Sequence, residues 1–149
     1  MILWHIAGAI FLFRWIFRDP KVDIRLLALG ALVPDMVDFV VGLFVGGVTV
    51  ERVGHGLMLP ALLGSVLLLT TRRGRRRRQL MTVLVAWLFH LVLDGVWLDG
   101  EVFLWPFLGW DLAPPLSGSF WSRAGEPWRW LKEAAGFAYL LRLRSSKWT

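Results

Sequence analysis

Four long apolar runs, at positions 2–17, 26–50, 53–71 and 80–98, limit most strongly what this chain can become. With 149 residues, 56% of them hydrophobic, and a mean hydropathy of +0.57, it carries more apolar surface than one small soluble core can hide. A bilayer removes that difficulty, since a hydrocarbon core is crossed by roughly 20 residues of helix. The ten tryptophans agree, because Trp collects at the membrane–water boundary. The pattern predicts a single-domain, all-α integral membrane protein: a bundle of four transmembrane helices, an outer loop at 99–127, and a C-terminal helix at 128–143. That last helix either lies in the interface or forms a fifth span. The first run has no basic residues ahead of it and no small-residue cleavage site, so it reads as a retained anchor. Pro34 should kink or break the second helix by removing a backbone hydrogen bond, and Pro60 should interrupt the third. A short re-entrant piece is expected at 102–108.

Net charge is +6, concentrated in Arg72, Arg73, Arg75, Arg76, Arg77 and Arg78. Such a run can bind nucleic acid, but its place between two apolar runs favours a cytoplasmic loop, and no nucleic-acid partner is expected. Positive residues stay inside. Counting back, the Glu51-Arg52 turn is outside, the link holding Arg18, Lys21 and Arg25 is inside, and the N-terminus is outside. The absence of cysteine excludes disulfides and thiolate metal ligands.

The apolar runs also contain His5, Arg14, Asp35, Asp38, His55, His90 and Asp94. Aspartates left alone in lipid would together destabilise insertion by something on the order of 10 kcal/mol, so they must face the bundle interior and have partners. Asp35 and Asp38 are three positions apart, and His90 and Asp94 four, which puts each pair on one helix surface. At a helical rise of about 1.5 Å per residue, Asp35 and Asp38 lie roughly 15 and 20 Å from the inner end of their run, and His90 and Asp94 roughly 16 and 22 Å. His5 and His55 begin their runs at the outer side. All six therefore fall between the midplane and the outer surface.

Imidazole with carboxylate suits a divalent metal, zinc first, with manganese or iron as alternatives. The six could surround one ion with supporting carboxylates, or two ions bridged by an aspartate. Such an ion would polarise an ester or phosphoryl oxygen, with a spare carboxylate, Asp38, as general base. Arg52 could be structural or hold an anionic substrate group. Each residue also has a plain reading: hydrogen-bonded packing for the histidines, a half-helix cap for Asp35, a buried ion pair of Asp94 with Arg14.

The order of motifs is His5, then Leu-Gly-Ala-Leu-Val-Pro-Asp35-Met-Val-Asp38, Arg52-Val-Gly-His55-Gly-Leu, His90-Leu-Val-Leu-Asp94 and Leu104-Trp105-Pro106-Phe107. This order resembles the LexA-regulated, membrane-bound metal-dependent hydrolase family, itself distantly similar in motif order to zinc-dependent phospholipase C. The resemblance implies a metal-dependent hydrolase in a prokaryotic plasma membrane, with Asp35, Asp38, His55, His90 and Asp94 as metal ligands or their immediate neighbours, joined by His5. The family has Thr-His-Ser where this chain has Gly54-His55-Gly56.

Three functions compete. The first is hydrolysis of a lipid-borne ester or phosphoester at the outer leaflet, with Arg52, Trp105 and Trp110 receiving the headgroup. The second is a non-catalytic scaffold held by a structural metal or ion pairs. The third is a metal-ion or proton transporter, against which stand the nearly all-apolar inner halves at 26–32 and 80–87.

Overall fold

The structure, a computed structural model, describes residues 1–19, 22–45, 52–110 and 127–145. Every regular element among them is helical: α1 (Ile2–Phe17), α2 (Ile24–Phe44), α3 (Met58–Thr70), α4 (Arg75–Asp94), a 3-10 turn (Val96–Leu98), α5 (Gly100–Phe103) and α6 (Pro127–Ser145). Local chemistry sets the ends. Asp23 caps α2 by accepting the Arg25 N–H at 2.9 Å, which satisfies one of the orphan donors of a first turn. Gly95 ends α4 in the left-handed conformation, at φ 69°, where the missing Cβ removes the steric cost.

Several boundaries differ from the sequence reading. α2 runs through Pro34 without a break; the ring is buried, packed under the Gly54 turn, and tertiary contact keeps the helix together. Positions 46–50 and Glu51 of the second run and its following turn lie outside the described residues. Residues 53–57 form turns and α3 starts only at Met58. Pro60 therefore sits in a first turn, where the missing N–H has no helical partner to lose. Arg75 to Arg78 are helical and open α4; only Arg72 and Arg73 lie in the connection. The piece expected at 102–108 is the end of α5 followed by turns, with a cis Trp105–Pro106 bond.

Among the described residues, only α2 is both long and apolar enough to cross a membrane; α1 and α3 are shorter apolar helices of 16 and 13 residues. α4 has 20 residues, but its first turn carries four arginines in sequence.

α2 and α4 form the most extensive helix pair, α1 packs on both, α3 packs on α4, and α6 lies along α1. Close approach of α2 to α4 requires Gly30, since a Cβ there would run into the carbonyl of Val83. Ala9, Ile10, Phe13, Leu27, Ala31 and Ala86 make the central core, and Trp87, Leu91 and Val96 a second cluster. Large apolar side chains such as Trp15, Phe39, Phe44 and Leu69 point outward. The bundle is polar in the vectorial sense. The start of α1, the later half of α2, the turn before α3 and the end of α4 meet at one end; Arg18, Arg25 and Arg72 to Arg78 belong to the other.

Candidate metal centre

The six residues picked out by sequence come together at the first of these ends. His90, on α4, is fully buried, and its Nδ1 donates to the Ala31 carbonyl of α2 at 2.6 Å. His55, in the turn before α3, donates from Nδ1 to Asp38 Oδ2 at 2.6 Å. His5, in the first turn of α1, donates from Nδ1 to the Met1 carbonyl at 2.5 Å. Carbonyl and carboxylate oxygens only accept, so each Nδ1 carries the proton. A neutral ring then offers its Nε2 lone pair, whereas a doubly protonated ring donates from Nε2 as well.

Those three nitrogens face a common space. His55 Nε2 lies 3.2 Å from His90 Nε2. Asp94 reaches between the rings, with Oδ1 2.8 Å from His5 Nε2 and Oδ2 3.0 Å from His90 Nε2 and 3.5 Å from His55 Nε2. Asp35 Oδ1 stands 3.6 Å from both His55 Nε2 and His90 Nε2. The donors fall into two overlapping triads, His5–His90–Asp94 and Asp35–His55–His90, each with its ligand atoms within 4.8 Å of one another. These groups could hold a metal ion. The Nε2 donors with tied-back Nδ1 atoms are the arrangement in which an outer acceptor fixes both tautomer and ring direction of a ligating histidine.

Asp38 is the residue whose geometry departs from expectation. Its side chain is 4% exposed, and its oxygens accept from the Gly54 N–H at 2.6 Å and from His55 Nδ1. Asp38 belongs to neither triad. Asp38 holds the His55 ring and the Gly54 N–H, the place of an immediate neighbour of the two triads. Asp35, one helical turn earlier, has a side chain 46% exposed and faces the donors. It caps no half-helix, because α2 is continuous. Asp94 pairs with imidazoles, whereas the buried Nε of Arg14 has no hydrogen-bond partner.

The Gly54-His55-Gly56 turn is held from several sides. Trp87 Nε1 donates to the Gly54 carbonyl at 2.8 Å, the Gly56 N–H to the Arg52 carbonyl at 2.7 Å, and the Leu57 N–H to the Phe103 carbonyl at 2.9 Å. A Cβ at position 54 would strike the Pro34 carbonyl. Glycine is thus required by contact with α2, and the orientation that a flanking hydroxyl could supply comes from Asp38. Arg52 hydrogen-bonds to Glu101 at 3.3 Å, with its own Nε buried and unpartnered. Trp105 meets Trp110 edge to face at 6.4 Å. The acceptors at Met1 and Ala31 and the Trp87 donor were missed by sequence reasoning. Two are main-chain oxygens, which no residue pattern marks, and Trp87 reads as an ordinary apolar helix residue.

The description YdjM inner membrane protein belongs to a family model that matches residues 1–146. It names a membrane, which agrees with the apolar runs, and no reaction. No curated protein and no solved structure matches the chain. With the match covering nearly its whole length, the chain belongs to the YdjM inner membrane protein family.

Proposed function

We propose that this protein is a metal-dependent hydrolase embedded in the bacterial plasma membrane, acting on a lipid-borne ester or phosphoester at the outer leaflet. The observation that carries the reading is the gathering of three imidazoles, each with its Nδ1 anchored, around Asp94, with Asp35 beside two of them, His55 and His90. His5, His90 and Asp94 would hold an ion in one triad and Asp35, His55 and His90 in the other, and zinc suits these nitrogen-rich sets best. A divalent ion there supplies Lewis acidity and an acidified water. Asp35, the most open carboxylate of the cluster, takes over the base role that sequence assigns to Asp38 and receives the proton. Arg52, Trp105 and Trp110 meet the headgroup.

In this reading α1 to α4 all span. α1 and α3, at about 24 and 20 Å by helical rise, are accommodated by local thinning and snorkelling of flanking side chains. α6 follows α1 in the same direction, Gly136 beside Leu3 and Tyr139 against Phe11, and is the fifth span. The basic end faces the cytoplasm and the centre faces outward.

One observation favours a second reading. An unprotonated Nε2 beside a carboxylate at 2.8 or 3.0 Å is repulsive until a cation enters, and a proton on the ring serves as well as a metal. Ion pairs alone would then bind the helices together, as in a scaffold. Elemental analysis of detergent-purified protein beside H90A/D94A separates the two. Near-stoichiometric metal lost in the variant, together with metal-dependent cleavage of phospholipid or phosphoester substrates, supports the hydrolase. Metal-free protein after reconstitution with zinc, manganese and iron eliminates it.

A further inference from the structure

We infer that Glu133, on the C-terminal helix, is a positioning residue for the metal centre: it caps α1 from outside and so holds His5 on target. This rests on the metal-binding reading above. α1 lacks a cap of its own, with no side-chain hydrogen bond at Met1 and no acidic residue in its first turn. An uncapped first turn leaves main-chain N–H groups unsatisfied and frays readily. Glu133 Oε2 supplies what is missing, accepting the Leu3 N–H at 3.0 Å across the α1–α6 interface, and its negative charge sits at the positive end of the α1 dipole.

The same turn carries the ligand. His5 directs both its main-chain N–H, at 3.4 Å, and its Nδ1, at 2.5 Å, to the Met1 carbonyl. Its Nε2 reaches Asp94 only while that turn is wound. α6 is fitted to this place. Gly136 lies so close to α1 that a Cβ would come within 2.7 Å of the Leu3 carbonyl and 2.8 Å of the Trp4 nitrogen. Lys132 spreads its ammonium over Trp128 at 4.5 Å and Trp4 at 5.7 Å. A carboxylate that looks like an obstacle to membrane insertion is thus the cap of a different helix.

The test compares wild type, E133A, E133Q and H5A, and the double variant H5A/E133A, as full-length protein in detergent. Zn²⁺ affinity is read by chelator competition, Co²⁺ absorption reports the ligand set, and amide hydrogen exchange follows residues 3–5. E133A should weaken Zn²⁺ binding about tenfold, the scale of losing an outer-shell partner, shift the Co²⁺ spectrum toward that of H5A, and speed exchange in the first turn. E133Q keeps an acceptor oxygen and should recover most of the affinity. In the H5A background the Glu133 change should cost nothing further, because contacts in one chain of influence are not additive. Equal losses with and without His5 would mean general destabilisation and overturn the inference, as would wild-type affinity and exchange in E133A. If the wild-type protein binds neither Zn²⁺ nor Co²⁺, the proposed function fails; unchanged exchange in E133A would then remove the capping role as well, and faster exchange would leave the cap standing without a metal to serve.

Discussion

Each imidazole of the centre has one nitrogen committed to a protein acceptor, and that commitment dictates what the other nitrogen offers. Asp38 shows how much depends on a residue outside the two triads. Replacing it with Ala frees the His55 ring and removes the acceptor of the Gly54 N–H. D38A should therefore lower metal affinity about 10- to 100-fold, measured by chelator competition; affinity equal to wild type would assign the carboxylate a purely structural role. Gly54→Ala pushes a methyl into the Pro34 carbonyl and should cost about 1–3 kcal/mol, the usual range for overpacking, read from thermal unfolding in detergent. At this scale the sequence was informative about which side chains gather and less so about what each does. Three positions on a helix leave directions about 60° apart at 3.6 residues per turn. Asp35 and Asp38 thus share a face loosely enough for one to meet the donors and the other to meet the turn beside them. Spacing alone cannot separate those roles.

Between elements, the decisive contact is α2 on α4, where Gly30 allows the backbones to meet and Ala31, the next residue, offers its carbonyl to His90. Packing and ligand orientation are thereby one event. Gly30→Val should destabilise the protein by about 1–3 kcal/mol and reduce bound metal in elemental analysis, because parting the helices breaks the His90 anchor. A variant that melts lower but keeps full metal content would uncouple them. The apolar runs located α1 to α4, since uninterrupted hydrophobicity is what a buried or lipid-facing helix requires. Their ends were less legible. His55 lies near the start of an apolar run that opens at Val53, yet the carboxylate and carbonyls around it stabilise a turn. Arg75 to Arg78 looked like loop because they are charged, although arginine is a good helix former.

For the molecule as a whole, the separation of charge is the dominant feature, with arginines gathered at one end and the acidic, imidazole-rich centre at the other. A chain without cysteine makes the orientation directly measurable. In cells expressing single-cysteine variants, Gly109→Cys should react with a membrane-impermeant maleimide from outside, whereas Arg73→Cys should react only after the membrane is opened. The reverse pattern would invert the proposed topology and turn the centre toward the cytoplasm. Glu133 marks where global reading of the sequence ran out. Nothing in its local pattern connects it to Leu3, 130 positions away, and judged by composition alone it only weakens the case for a span.

The distance along the chain between partners has a consequence for how the protein is made. His5 leaves the ribosome 89 residues ahead of Asp94, while Asp38 waits only 17 for His55. With α1 to α4 spanning as proposed, a nascent chain that inserts as it is synthesised holds the His5 imidazole in the bilayer through the emergence of three further helices. The Glu133 cap arrives later still. A chain stopped before residue 94 has Asp38 and His55 already paired, and a His5 whose Nε2 partner is still unmade.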